Sequence, residues 1–155
     1  LDLRNNPGGA LNTAIAIASQ FVGSGVILYE EYGDGTRQTH EALQGGLATE
    51  IPLVVLVNEF SASASEVVAG AIQDTGRGML VGTKTYGKGS VQQWIPLSNE
   101  QGAVRVTIAY WYTPKNRLIH EVGLTPDVEV EMTEEDIQAK LDPQLDEAIK
   151  ILIEK

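Results

Sequence analysis

Three serines separated by single alanines, Ser61, Ser63 and Ser65, lie at the junction between two differently patterned segments. A continuous apolar run at residues 53–57 precedes them, and apolar residues at helical spacing follow them. A hydroxyl on such a strand-to-helix turn suits nucleophilic attack, because the backbone N–H groups that follow can point at a developing oxyanion. The small neighbours would also let a substrate backbone come close. The stretch is therefore a candidate position for a nucleophilic serine.

The same residues have a structural interpretation. Ser63 and Glu66 have the spacing of a capping box, in which the serine caps the following helix and the glutamate reaches back to the serine N–H. From this stretch alone, capping and catalysis both remain open.

A serine nucleophile needs a base to take its proton. The two histidines, His40 and His120, are not in a glycine-rich or motif-like context, so a Ser-His-Asp triad has little support. Lys88 is the better candidate. A neutral lysine can serve as the base, which requires burial without a counter-charge to lower its pKa. A Ser-Lys dyad is a known variant of the triad.

The surroundings of Lys88 fit this role. Gly87 and Gly89 flank it, so the backbone there can bend into a pocket, whereas the competing Lys84 has no adjacent glycine. Gln92 follows four residues after Lys88, and a neutral amide can orient a lysine without holding it charged.

Lys88 also has a rival interpretation as a phosphate-binding lysine. Residues 82–88 match most of a P-loop, but that motif requires Ser or Thr directly after the lysine, where this chain has Gly89. A P-loop must also open a helix, whereas the pattern of residues 90–96 predicts a strand. Both differences disfavour nucleotide binding.

A third stretch, residues 5–9, contains Gly8 and Gly9 directly before a helical pattern at residues 11–22. Exposed N–H groups and the positive end of a helix dipole favour an anion at such a position. A tight turn with no further role is the alternative.

Composition limits the function classes. The chain has 155 residues, 43% of them apolar and 21% charged, as expected for one folded domain. A net charge of −10 argues against a nucleic-acid or anionic-membrane surface. The absence of cysteine excludes a thiol nucleophile, a disulfide scaffold and a zinc-thiolate site. No apolar run approaches the roughly 20 residues of a membrane span. Because the chain opens on a strand-like pattern, we expect it to be part of a longer protein.

The elements that position these residues alternate between strand and helix in the first half. Strand patterns dominate the second half, and two short helical patterns follow, which together predict an α/β class with a mixed sheet. The last helical pattern places Leu145, Ala148, Ile149 and Leu152 on one face, which predicts core packing. The predicted strands are 1–4, 26–32, 37–43, 53–57, 79–81, 94–97, 103–112, 117–119 and 127–130, and the predicted helices are 11–22, 64–76, 134–140 and 144–153.

Taken together, residues 2–9, 61–66, 82–93 and 123–130 resemble the ordered motifs of the C-terminal processing peptidases, or tail-specific proteases, of the S41 serine peptidase family. The resemblance covers essentially the whole chain and implies a ClpP/crotonase-like core. It implies a serine endopeptidase that needs no metal or cofactor. By position, it assigns the nucleophile to Ser63, the base to Lys88 and a supporting role to Gln92. The implied oxyanion amides are those of Ala64 and either Gly8 or Gly9.

The resemblance also carries expectations about the whole protein. Members of the family usually have a PDZ domain, cleave unfolded or C-terminal polypeptides, and act in the periplasm, at the cell envelope or in the thylakoid lumen. No PDZ segment is expected within this chain. The alternative hypothesis is a non-catalytic relative that serves as a binding or scaffold domain, because this fold supports several functions.

Overall fold

The described residues, 1–98 and 101–154 of a computed structural model, contain seven strands and four helices. In chain order these are α1 (Leu11–Phe21), β1 (Val26–Tyr32), β2 (Arg37–Glu41), β3 (Val54–Val57), α2 (Ala64–Asp74), β4 (Met79–Gly82), β5 (Ser90–Pro96), β6 (Ala103–Tyr112), β7 (Val128–Glu129), α3 (Glu134–Ala139) and α4 (Pro143–Ile153).

A parallel sheet with the order β3-β4-β7 carries the site. The amino-terminal residues extend this sheet beside β3, since the Leu3 N–H donates to the Leu56 carbonyl and the Leu56 N–H donates to the Leu1 carbonyl, both at 2.9 Å. All four residues of β3 are buried, as its continuous apolar run predicted. Because parallel strands end at the same edge, the turn after Leu3, the serine turn after β3 and the lysine loop after β4 share that edge.

A second, antiparallel sheet has the order β2-β1-β6-β5. The hairpin predicted around residues 33–36 is confirmed by the β1–β2 pairing. β5 spans Ser90–Pro96, which confirms the strand predicted there in place of a P-loop helix, and extends the apolar stretch predicted at 94–97. Only an isolated bridge from Tyr112 to Leu118 forms in the strand predicted at 117–119. The α/β class is confirmed, and its parallel and antiparallel pairings are divided between two sheets.

Helix α2 lies at the centre of the core. Its predicted apolar face is buried, and so is most of its opposite side, including Ala69 and Gly70. A Cβ on Gly70 would lie 2.9 Å from the Thr113 methyl group, so a larger residue there would displace the segment that contains Thr113. The core packs around Ile27, Leu28, Val67, Ile72, Leu80 and Leu124. No helix in the described part of the chain has both the length and the apolar character needed to cross a bilayer.

Helix α4 differs from its prediction. Ala148 is buried as expected, but Leu145, Ile149 and Leu152 are exposed. The helix is turned so that Gln144 and Ala148 face the sheet. The side-chain NH₂ group of Gln144 has a hydrogen-bond partner there, because its Nε2 donates to the Val130 carbonyl at 2.8 Å. A polar side chain with a fixed partner therefore occupies the face that the apolar pattern assigned to leucine and isoleucine.

Candidate active site

Ser63 occupies the turn between β3 and α2 in a strained conformation. Its φ of 59° and ψ of −120° lie in a region that residues with a side chain rarely adopt. The Ser63 N–H donates to the Glu66 carboxylate at 2.8 Å, which is the glutamate half of the predicted capping box. The Ser63 hydroxyl has the capping-box placement opposite the Glu66 N–H, but it makes no capping hydrogen bond, because that N–H donates to the Ser63 carbonyl at 2.9 Å. The strained turn therefore leaves the hydroxyl uncommitted to the helix.

The three serines have different environments. Ser61 is fully buried, and its hydroxyl donates to the Leu3 carbonyl at 2.7 Å and accepts from the Asn58 N–H at 2.9 Å. Ser65 is also buried, within the first turn of α2. Ser63 is only partly buried. Of the three serines, Ser63 is the least buried.

Glu66 connects the serine turn to the lysine loop. Its carboxylate is fully buried and accepts the Thr85 hydroxyl at 2.6 Å, the Gly87 N–H at 2.7 Å and the Lys88 N–H at 2.8 Å, in addition to the Ser63 N–H. A buried carboxylate requires such donors. Sequence reasoning identified only its bond to Ser63, because the other three partners lie about twenty residues away. Glu66 thus sets the backbone of Ser63 and Lys88 relative to each other.

Lys88 and Gln92 line one groove of about 1120 Å³, together with Ala62 from the serine turn. Both side chains are exposed, so the burial expected for a neutral lysine is not observed. No carboxylate of the described residues forms an ion pair with the Lys88 ammonium group. Lys88 is therefore open to the groove with no fixed counter-charge.

The glycines beside Lys88 are required by packing against residues 119–123. Gly87 has a φ of +89°, and its carbonyl accepts the Glu121 N–H at 2.8 Å. A Cβ on Gly89 would lie 2.6 Å from the His120 nitrogen. The close approach anchors the backbone on both sides of Lys88.

His120 lines the same groove as Lys88 and Gln92. Its ring packs against Tyr110 with centroids 5.0 Å apart. Sequence reasoning gave this histidine no role, and no local motif marks it, because only the docking of residues 119–123 brings it to the groove. The other histidine, His40, bonds to Glu30 at 3.1 Å in the β1–β2 hairpin.

Gly8 brings the turn after Leu3 against the serine. Its φ is +96°, and a Cβ there would lie 2.7 Å from the Ala64 nitrogen and 2.8 Å from the Ser63 Cβ. Only glycine permits this approach. The turn after Leu3 and the start of α2 are thereby held in contact.

The N–H groups in this contact are not equivalent. The Gly8 N–H donates to the Asn6 Oδ1 at 3.0 Å. Among the described residues, the N–H groups of Gly9 and Ala64 have no hydrogen-bond partner. Two N–H groups without a partner are therefore available beside the serine turn.

A model of peptidase family S41 matches residues 1–130 of the chain. A carboxy-terminal-processing protease of Bartonella bacilliformis is 47% identical over 135 residues, which are 84% of this chain and 30% of that protein. A carboxyl-terminal-processing protease of Synechocystis sp. is 48% identical over 131 residues, with the same coverage of 84% and 30%. The chain thus spans 30% of the length of these relatives.

Solved structures agree with this relationship. The photosystem II D1 C-terminal processing protease aligns with a TM-score of 0.80 and 39% identity, over 84% of this chain and 34% of that one. The tricorn protease aligns with a TM-score of 0.64 and 25% identity, over 99% of this chain and 14% of that one. The motifs predicted from the sequence, the fold and the family match all agree. The chain belongs to peptidase family S41.

Proposed function

We propose that residues 1–155 form the catalytic domain of a serine endopeptidase that cleaves polypeptides near their carboxyl ends, with Ser63 as nucleophile and Lys88 as base. One observation carries the proposal. Ser63 is the least buried of the three serines, and a buried carboxylate joins its backbone to that of Lys88. The family relationship supplies the reaction class, and this geometry favours these residues.

The reaction follows from their chemistry. Neutral Lys88 takes the proton of the Ser63 hydroxyl while its oxygen attacks the scissile carbonyl carbon. The Gly9 and Ala64 N–H groups stabilise the resulting oxyanion; we assign Gly9 rather than Gly8 because the Gly8 N–H already has a partner. Collapse expels the amine, which takes the proton from Lys88, and leaves an acyl-enzyme. Water then gives a proton to Lys88 and attacks the ester carbonyl. Lys88 returns that proton to the Ser63 oxygen as the ester C–O bond breaks, which releases the carboxylate product and restores the neutral lysine, while the Gln92 amide orients the lysine.

Substrate binding completes the environment that Lys88 needs. A peptide in the groove displaces water from around the amine, and desolvation disfavours its charged form. Since no ion pair fixes the charge in the free protein, this desolvation is not opposed by a neighbouring carboxylate.

The cavities suit an extended polypeptide. The large groove passes Lys88 and Gln92, and a smaller, mainly apolar cavity of about 200 Å³ adjoins Gly8, Gly9 and Ala64. The smaller cavity is placed to receive a side chain next to the scissile bond. In the whole protein, by the family relationship, we propose a PDZ domain that captures the substrate carboxyl end, and an extracytoplasmic location. Relatives named as chloroplastic fit such a location.

Cleavage of an unfolded polypeptide by the whole protein tests the assignment. Ser63→Ala and Lys88→Ala should each lower kcat by about 10⁴-fold or more, as for other serine peptidases that lose a nucleophile or base. Lys84→Ala, an exposed lysine of the same loop, is the matched control and should retain activity. Turnover that persists in either site variant contradicts the role assigned to the replaced residue. A wild-type protein with no turnover, and no reaction with a serine-directed probe, would favour the scaffold alternative.

A further inference from the structure

Arg4 immediately precedes the turn that carries Gly8 and Gly9. Its side chain is 14% exposed, and its guanidinium is fully occupied. Two parallel hydrogen bonds of 2.8 Å join Nη1 and Nη2 to the Asp142 carboxylate. Further bonds reach Asp2 at 2.8 Å and the Gln144 amide oxygen at 3.1 Å. A doubly bidentate arginine of this kind has a closely defined position and orientation.

The partners on the far side of Arg4 belong to α4. Asp142 caps this helix by accepting the Leu145 N–H at 3.0 Å, and Gln144 is buried and bonded to the Val130 carbonyl. Asp142 and Gln144 lie beyond residue 130, where the family match ends. Helix α4, outside the matched region, is therefore hydrogen-bonded to the segment that leads into the turn at Gly8 and Gly9.

The remaining anchors of the turn act nearer to the serine. The Asn5 N–H donates to the Asn58 Oδ1 at 2.9 Å, and the Ala62 N–H donates to the Asn6 carbonyl at 3.0 Å. Asn5 has a φ of 58°, a left-handed conformation that asparagine adopts more readily than most residues with a side chain, and it forms the bend before Gly8. The pairing of residues 1–3 with β3 holds the backbone before this bend, and the Arg4 side chain adds the one link between this segment and α4 among the hydrogen bonds of the described residues. With Arg4 released, the bend keeps its contacts to β3 and the serine turn but loses its link to α4.

We propose that Asp142 is a positioning residue for the reaction, which acts through Arg4 to hold the Gly9 N–H where the oxyanion forms. The inference rests on the proposed peptidase function, and it makes α4 part of the active-site scaffold. The Arg4 hydrogen bonds also hold the pKa of Asp142 below its usual value, so the carboxylate remains charged at neutral pH.

Asp142→Asn isolates this role. Asparagine caps a helix as well as aspartate does, so α4 keeps its cap while Arg4 loses the charge and one of the two parallel acceptors. In the whole protein we expect kcat for a peptide substrate to fall about tenfold, less than the 10²–10³ that follows complete removal of an oxyanion donor. KM should change by less than about twofold, and the affinity for a peptide aldehyde that mimics the tetrahedral intermediate should fall in parallel with kcat/KM.

The controls separate positioning from folding. Asp146→Asn removes an exposed carboxylate from the same helix turn and should leave kcat unchanged. Arg4→Lys is a second variant, since lysine cannot form the two parallel hydrogen bonds. The kcat of the double variant Arg4→Lys/Asp142→Asn should lie within about twofold of the kcat of the less active single variant. All rates are measured where circular dichroism shows complete folding.

An unchanged kcat in Asp142→Asn, or losses that multiply in the double variant, would overturn the inference. Ser63→Ala is assayed alongside. If Ser63→Ala is inactive and Asp142→Asn is fully active, the inference fails while the proposed function stands. If Ser63→Ala retains activity, the proposed function itself fails.

Discussion

Replacing Glu66 with glutamine tests how the proposed nucleophile, Ser63, and the proposed base, Lys88, are held together. The native carboxylate accepts four hydrogen bonds, with Oε1 bonded to the Thr85 hydroxyl and the Gly87 N–H, and Oε2 bonded to the N–H groups of Ser63 and Lys88. Glutamine has the same shape but only one acceptor oxygen. Its NH₂ group must face the donors on one side. In the favourable orientation it faces Ser63 and Lys88, where water has partial access, so the N–H groups of these two residues lose their acceptor.

The expected magnitude follows from those two lost bonds. A buried donor without an acceptor costs about 1–3 kcal/mol. Because water has partial access at Ser63 and Lys88, the cost of each of these two N–H groups lies in the lower part of that range. We therefore expect Glu66→Gln to lower the free energy of unfolding by about 2–4 kcal/mol, a large part of the roughly 5–15 kcal/mol of a typical domain. The activity of the fraction that remains folded should also fall, because the backbones of Ser63 and Lys88 are no longer joined.

Urea unfolding followed by circular dichroism measures the first effect, and peptide cleavage measures the second. Glu59→Gln is the control, because Glu59 accepts one exposed hydrogen bond from the Thr83 hydroxyl. It should change stability by less than about 0.5 kcal/mol, as surface substitutions usually do. If Glu66→Gln is as stable and as active as Glu59→Gln, then Glu66 does not hold the site together.

Two further predictions concern the glycine turn and acid stability. Gly8→Ala should destabilise the protein and abolish cleavage because its methyl group would overlap the serine turn, whereas Gly9→Ala, with no atom within 4 Å of the added Cβ, should unfold at nearly the wild-type urea concentration. Equal urea midpoints for the two variants would show that the turn does not contact the serine as described. The hydrogen bonds to Arg4 lower the pKa of Asp142 in the folded protein. The Arg4–Asp142 pair therefore stabilises the fold fully at pH values above the pKa of an unfolded aspartate, about 3.9. This stabilisation is lost as the pH falls through the lower pKa of the folded state. The urea midpoint of Asp142→Asn should thus decrease less on acidification than that of wild type, and parallel curves would contradict the pairing.

Local patterns predicted most of the fold. The continuous apolar run of β3, the helical spacing of α2 and the hairpin around residues 33–36 each depend on near neighbours, and each was confirmed. The edge shared by the serine turn and the lysine loop was predictable too, because it follows from parallel strands.

Long-range contacts account for what the sequence did not show. Arg4 and Asp142 lie 138 residues apart, and nothing local pairs them. The same holds for Glu66, which resembles an ordinary helix cap until residues 85–88 are folded onto it. The prediction of which face of α4 is buried was wrong. An apolar pattern cannot anticipate that Gln144 is buried with hydrogen bonds to Arg4 and to the Val130 carbonyl.

Identification of the residue that reacts with a serine-directed fluorophosphonate tests the central claim most directly. Peptide mass spectrometry of the labelled protein distinguishes Ser61, Ser63 and Ser65, which lie on one short stretch. We predict a single phosphonyl group on Ser63, no labelling of Ser63→Ala, and labelling of Lys88→Ala that is slower by at least about 10²-fold, because the base has been removed. Modification of Ser61 or Ser65, or equally fast labelling without Lys88, would contradict the mechanism.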